Sequence, residues 1–304
     1  MEWWIILIIV LVSLALVGFL SFSIGISSLM VQQMCKPKHF KTQEEKEQEI
    51  KEVHPDGIDQ YQRIPIEFVM KDGYVIHGDY SLNNPKKFVI CMHGHISNRG
   101  GQVKYAYALY RLGYSLVFYD HRSHGENKRD YVTMGYREHQ DALEVIRQVR
   151  EKFGQDIELG LFGCSMGGAT ALMCLKEEND LSFVVSDCAF SSLKQLVKGF
   201  CKIHKSPAWM FLPWTNLLLK IKYHFSFKDA SAVEAVKANK KVPVLFIHGD
   251  ADGFVFPINA TILYNNSASQ KKRLEFFKGA GHCASIEVDK EKYYKVIEEF
   301  IKGE

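Results

Sequence analysis

Three short segments of this chain hold residue types that together can run nucleophilic acyl chemistry. Gly163-Cys164-Ser165-Met166-Gly167 sets a serine between two glycines. It stands where an expected strand (157–162) meets an expected helix, a turn tight enough to need glycine and to push the serine oxygen out above a sheet. A serine hydroxyl is a poor nucleophile at its free pKa, so it needs a base within hydrogen-bond reach and a group that orients the base. Two later loops offer candidates: Phe246-Ile247-His248-Gly249-Asp250-Ala251-Asp252 and Gly279-Ala280-Gly281-His282. Each closes an expected strand, so acid and base arise at the C-terminal ends of neighbouring strands. The Met166 N–H, first after the serine, is positioned to donate to an oxyanion.

The elements that must hold these residues are legible as hydropathy periods. After Gln60, β-branched and aromatic runs alternate with segments of helical period, the pattern of a mostly parallel sheet with helices on both faces. Strands are expected at 64–70, 74–80, 87–92, 115–120, 157–163, 182–187, 242–248 and 272–278. The first two form a hairpin across Lys71-Asp72-Gly73, an Asp-Gly turn. A helix is expected from about 137 to 153, where Ala142, Val145, Ile146 and Val149 repeat at helical spacing. Between 187 and 242 some 50 residues stand where one crossover helix would suffice, which predicts a helical cap insertion over about 190–240. It is apolar and basic, with Leu193, Leu196, Val197 and Phe200 as a stripe, then Trp209, Phe211 and Trp214, and seven lysines before Asp229.

From Trp3 to Val31 run 29 residues without a charged side chain, more than the roughly 20 that cross a bilayer. This predicts a retained transmembrane helix (1–34). The start Met1-Glu2-Trp3-Trp4 lacks the basic n-region of a signal peptide, and no clear small-residue cleavage site follows. Lys36, Lys38 and Lys41 follow the run and no Lys or Arg precedes it, which puts the remainder of a single-pass protein in the cytoplasm. Residues 35–60, rich in Glu and Lys, read as a polar tether to a domain spanning 61–304. The net charge of +3 is too mild for a nucleic-acid surface. Seven cysteines without a CxxC pair fit buried free thiols better than a disulfide framework.

Residues 62–303 resemble the α/β-hydrolase superfamily, particularly its serine-aminopeptidase-like (S33) and lysophospholipase-like branch. The resemblance rests on His93-Gly94, Asp120-His121-Arg122-Ser123-His124-Gly125, Gly163 to Gly168, Asp187, His248-Gly249-Asp250-Ala251-Asp252 and Gly281-His282. It implies an α/β-hydrolase fold with Ser165 as nucleophile, Asp252 rather than Asp250 as acid, and His282 as base. It further implies the main-chain N–H of His95 as second oxyanion donor beside Met166, with Ile96 as the fallback. One departure is Val255-Phe256-Pro257, where the family usually reads Val-Pro, and it bears on the local loop shape. The function implied is hydrolysis of a small-molecule or lipid ester or thioester through an acyl-serine, with no metal or organic cofactor and no nucleic-acid partner. A short-peptide serine peptidase and an acyltransferase are the enzymatic alternatives; a non-catalytic, membrane-tethered binding protein is the alternative from another class.

Other residues invite competing roles. His93, His95, Asp120, His121 and His124 could gather a metal, but each has a place in the hydrolase pattern, and no HExxH or Cys/His ligand spacing is present. His93 and His248 are expected to hold loops by hydrogen bonds, and Cys164 to point away from Ser165 into the core. Trp209, Phe211 and Trp214 are expected either to cover the sheet in a solvated helix pair or to line an acyl-binding pocket beneath a lid whose lysines meet anionic head groups.

Overall fold

The computed structural model describes residues 2–42, 44–46, 48, 51 and 62–303. Eight strands form one sheet: β1 (Ile64–Val69), β2 (Val75–Ser81), β3 (Lys87–Met92), β4 (Ser115–Tyr119), β5 (Glu158–Cys164), β6 (Phe183–Asp187), β7 (Val244–Gly249) and β8 (Lys272–Phe277). Their spatial order is β1-β2-β4-β3-β5-β6-β7-β8. β2 runs antiparallel to both its neighbours and the remaining pairs are parallel. All eight expected strands are present, each within two residues of its expected bounds. The β1–β2 hairpin turns where Asp-Gly predicted, with Gly73 at φ 78°.

Helices cover both faces: α1 (Trp3–Cys35), α2 (Val103–Arg111), α3 (Tyr136–Phe153), α4 (Met166–Cys174), α5 (Leu193–Ile203), α6 (Ala208–Tyr223), α7 (Ala232–Ala238), α8 (Ile258–Asn266), α9 (Ser285–Val288) and α10 (Lys290–Lys302). Strand alternation divides the core. In β3, Phe88, Ile90 and Met92 join the cluster under α3, α4 and the cap, while Val89 and Cys91 join the one under α2 and α10. α4 is buried along its whole length, as its uniformly small and apolar sequence requires. The chain leaves β3 toward β4 on one side and returns to β5 on the other. This reversal opens a crevice beyond the C-terminal ends of β3 and β5, where sheets of this kind place ligands.

The cap consists of α5, α6 and α7, and α6 is paired with α1 in a way the sequence did not reveal. Residues Trp3 to Gly18 of α1 extend largely exposed beyond the domain, in a helix long and apolar enough to cross a membrane. Its last turns instead lie along α6. Phe19 stacks on Trp209 with ring centroids 6.0 Å apart, Phe22 meets Phe211 edge-on, and the Ser27 hydroxyl donates to the Phe211 carbonyl at 3.2 Å. Val31, Met34 and Cys35 are buried in the main core.

The expected polar tether at 35–60 needs correction at its start. The Val132 N–H donates to the Cys35 carbonyl, and the Lys41 N–H to the Ile96 carbonyl at 2.9 Å. Phe40 meets the His124 ring edge-on. These residues are packed onto the domain because α1 delivers the chain directly against its loops. The rest of the tether lies largely outside the described residues.

Candidate active site

β5 ends at Cys164 and α4 begins at Met166, so Ser165 occupies a one-residue turn with φ 56° and ψ −117°, a conformation that costs a non-glycine residue about 1–3 kcal/mol. The surrounding glycines make the turn possible. A Cβ on Gly163 would lie 2.2 Å from the Gly167 carbonyl oxygen, and one on Gly167 would lie 2.0 Å from that of Met92. The Ser165 N–H is anchored to the Asp187 carbonyl at 2.8 Å. The hydroxyl is thereby aimed over the sheet edge.

β7 and β8 deliver the other two groups. His282 Nε2 lies 2.9 Å from Ser165 Oγ, and its Nδ1 lies 2.7 Å from Asp252 Oδ2. Asp252 Oδ1 accepts the N–H groups of Phe254 and Val255, each at 2.9 Å. His248 Nε2 stands 3.2 Å from Asp252 Oδ2 and 2.7 Å from the Val255 carbonyl. The Val255-Phe256-Pro257 departure is thus accommodated, since Val255 closes the Asp252 turn and Pro257 leads into α8. Asp250 is exposed and accepts the Gly279 N–H at 2.6 Å, tying the two loops together without touching His282.

Burial pushes the Asp252 carboxyl up, but hydrogen bonds from His248 and His282 and the proximity of the His282 ring outweigh it and hold the group well below the usual carboxylate range. Burial works to lower His282, yet its hydrogen bond to Asp252 and the charge of that carboxylate raise it above 6.5. Asp252 therefore remains ionised at neutral pH, and His282 is a stronger base than free imidazole.

The loop after β3 runs beside the serine. A Cβ on Gly94 would sit 3.3 Å from Ser165 Cβ, so a side chain there would press on the serine. The His95 imidazole is turned away, with Nε2 2.9 Å from the Met34 carbonyl of α1. The Ile96 N–H, the fallback donor, is engaged by His124 Nε2 at 3.3 Å. His93 Nε2 accepts the His121 N–H at 2.8 Å, and His124 Nδ1 lies 2.9 Å from the Arg122 carbonyl. Burial pushes His93 and His95 down to about 4, so both are neutral props for loops. Asp120 is ion-paired with Arg99.

A cleft of about 470 Å³ opens over Ser165 and His282, bordered among others by Ile96, Tyr105, Phe254, Lys104 and Glu287. Trp209, Phe211 and Trp214 do not line it. Phe211 is 3% exposed against α1, while Trp209 is 68% exposed at its Phe19 stack. In this structure Trp209 and Phe211 instead face α1, while Trp214 is half-buried. Phe254, whose ring centroid is 5.0 Å from that of His282, is the wall residue the sequence reading passed over. Its signal was its place two residues after Asp252. Cys164 turns into the core as expected, where it meets Cys188 and Cys283.

A family model described as serine aminopeptidase, S33, matches residues 83–242, just over half of the chain. YqkD of Bacillus subtilis, an uncharacterised protein, is 27% identical over 234 residues, covering 75% of this chain and 76% of its own. Among solved structures, the Pyrococcus furiosus esterase Pf2001 is similar with a TM-score of 0.66 at 22% identity, covering 84% of this chain and 95% of that one. The Pyrococcus horikoshii acylaminoacyl peptidase is similar with a TM-score of 0.63 at 17% identity, covering 83% of this chain and 43% of that one.

Proposed function

Because the chain belongs to the serine aminopeptidase S33 family of α/β-hydrolases, we propose that it hydrolyses carboxylic esters through an acyl-Ser165 intermediate. The observation that carries this reading is the continuous contact from Ser165 Oγ through both ring nitrogens of His282 to Asp252. His282 takes the serine proton as Oγ attacks the acyl carbon, then gives it to the leaving alcohol. Water repeats the sequence with His282 again as base, and the acid is released. Asp252 holds the ring in the tautomer that leaves Nε2 free to accept, and it stabilises the imidazolium that forms. The main-chain N–H groups of Met166 and His95 receive the oxyanion, each contributing about 3 kcal/mol to the transition state.

An ester is favoured over a peptide by the cleft walls. Ile96 and Phe254 offer apolar surface to an acyl chain. The carboxylate among the described lining residues, Glu287, is ion-paired with Lys104, which opposes its use as a seat for a peptide amino terminus. The family description and the acylaminoacyl peptidase likeness favour peptide cleavage as the second reading. A ladder of p-nitrophenyl acyl esters run beside aminoacyl p-nitroanilides separates the two. Ester turnover exceeding anilide turnover by 10²-fold or more (about 3 kcal/mol) is expected; the reverse preference refutes the ester assignment.

The same reading makes α1 a membrane anchor, with residues 61–304 as a cytoplasmic hydrolase domain whose cap spans about 190–240. Parallel packing of α1 and α6 sets the height of that domain. Phe19 and Trp209 mark the level where α1 leaves the domain, and Trp209 has the amphipathic ring favoured at a membrane–water boundary.

A further inference from the structure

Directly behind the proposed triad, three thiols from three separate segments converge. Cys164 ends β5, Cys188 follows β6, and Cys283 follows His282. The Cys164 and Cys283 sulfurs are 3.2 Å apart, those of Cys188 and Cys283 3.3 Å, and those of Cys164 and Cys188 3.5 Å. Cys164 and Cys188 are buried, whereas Cys283 is half-buried and borders the Ser165 cleft. Cys164 borders the same cleft, but Cys283 is the more exposed of the two, with the other two thiols in contact with it. The hydrolytic reading gives none of these sulfurs a role.

We propose that Cys283 is an oxidation site for hydroperoxides, and that its oxidised sulfur closes a disulfide with Cys164 or Cys188, switching the hydrolase off reversibly. The consequence for activity rests on the ester-hydrolase reading; the site itself does not.

Cys283 is the thiol poised to react. Hydrogen bonds from Cys164 and Cys188 outweigh burial and pull its pKa below the ordinary thiol range, which favours the reactive thiolate. Burial pushes Cys35, Cys91, Cys174 and Cys201 the other way. In the first step the Cys283 thiolate attacks one oxygen of the hydroperoxide. The O–O bond breaks, sulfur is oxidised to a sulfenic acid, and the peroxide leaves as an alcohol or water after taking one proton. In the second, a neighbouring thiol sulfur attacks the sulfenic sulfur, the S–O bond breaks, and the hydroxyl leaves as water with the thiol proton. Two thiols and one hydroperoxide thus give one disulfide, one alcohol and one water. A resolving thiol in contact also intercepts the sulfenic acid before irreversible over-oxidation.

The product suits its surroundings. A disulfide is neutral and places no charge beside Asp187, whose carboxyl burial pushes well above its ordinary range. A thiophilic metal would set its sulfurs roughly 3.8 Å apart, from metal–sulfur bonds of about 2.3 Å in a tetrahedron. It would also require three thiolates in the interior beside the buried Asp187 carboxyl, so the burial favours the neutral disulfide. Forming a bond of about 2.05 Å draws the Cys283 sulfur inward by just over 1 Å. His282, its chain neighbour, is held by contacts of 2.7 and 2.9 Å on its two sides. Passed along the backbone to His282, a displacement of that order lowers turnover by about 10²-fold.

The test uses the reduced full chain in detergent micelles, treated with hydrogen peroxide, alkylated and digested without reductant for mass spectrometry. The expected result is a peptide pair linking Cys283 to Cys164 or Cys188 with loss of two hydrogens. In parallel, fluorophosphonate labelling of the treated protein falls by about 10²-fold and returns with dithiothreitol. For Cys283→Ser, the ratio of treated to untreated labelling stays near one. A Cys283 that remains free or ends as sulfinic acid, or zinc bound stoichiometrically to the untreated cluster, overturns the proposal. So does equal peroxide sensitivity in Cys283→Ser; should that variant not fold, the wild-type peptide map alone decides. An untreated protein that takes no label contradicts the hydrolase reading while leaving the map to judge the thiols.

Discussion

At the scale of single residues, the account turns on two opposed shifts. Asp252 is held below its ordinary range by hydrogen bonds from His248 and His282, and His282 is held above its own by the bond to Asp252 and the charge of that carboxylate. Protonated His282 cannot accept the serine proton, so activity is lost as pH falls through its pKa. Because that pKa is raised, the acid limb of kcat/KM is expected to have its midpoint above 6.5. Asp252→Asn removes the charge that raises it, so the midpoint moves down while kcat falls by about 10⁴-fold. A pH–rate profile of both proteins checks the sign, and an unmoved midpoint in the variant would detach Asp252 from His282. Asp250→Asn leaves the midpoint where it was, since Asp250 bonds Gly279 and not the ring.

At the scale of elements, the serine turn and the α1–α6 pair carry the predictions. Gly167→Ala brings a methyl within 2.0 Å of a backbone carbonyl that cannot rotate away. It is expected to cost at least about 3 kcal/mol by overpacking, read as a fall in Tm. Phe211→Ala, which empties the contact with Phe22, is expected to cost about 3–5 kcal/mol while leaving acyl-chain preference unchanged. A changed preference would return α6 to the substrate pocket.

These elements also show what was legible in the sequence. The strands were, because period-two alternation and buried apolar runs between Gly, Asn and Asp turns leave little else, and Gly163-Cys164-Ser165-Met166-Gly167 was, because its glycines answer a steric need. The partner of α6 was not. A helix apolar on every side carries no mark of which turns meet lipid and which meet protein, so all of 3–31 was assigned to the bilayer and the aromatics of α6 were left to seek a ligand. The sequence places Phe254 two residues after Asp252 and Cys283 next to His282, but not the contacts across loops that give them significance.

At the scale of the whole molecule, α1 is a piece of the hydrolase core as well as the membrane anchor proposed above. Its far end reaches the site, where the Met34 carbonyl meets the His95 ring. Removing residues 2–18 takes away turns that are exposed apart from the half-buried Ile5, and the product is expected to leave the membrane fraction folded. Starting the chain at residue 42 also removes Val31 and Met34 from the core, at about 1.5–3 kcal/mol each. It bares the faces of α6 and of the loop after β3, so the shorter chain is expected to aggregate. Size-exclusion chromatography of the two truncations decides this.

The measurement that tests the central claim most directly is covalent labelling of the full chain by a fluorophosphonate, with the modified peptide mapped and Ser165→Ala run beside it. The account predicts one adduct, on Ser165, no adduct in the variant, and ester turnover lower in the variant by at least about 10⁴-fold. A folded protein that takes no label, or a variant that labels and turns over ester like the parent, would contradict it.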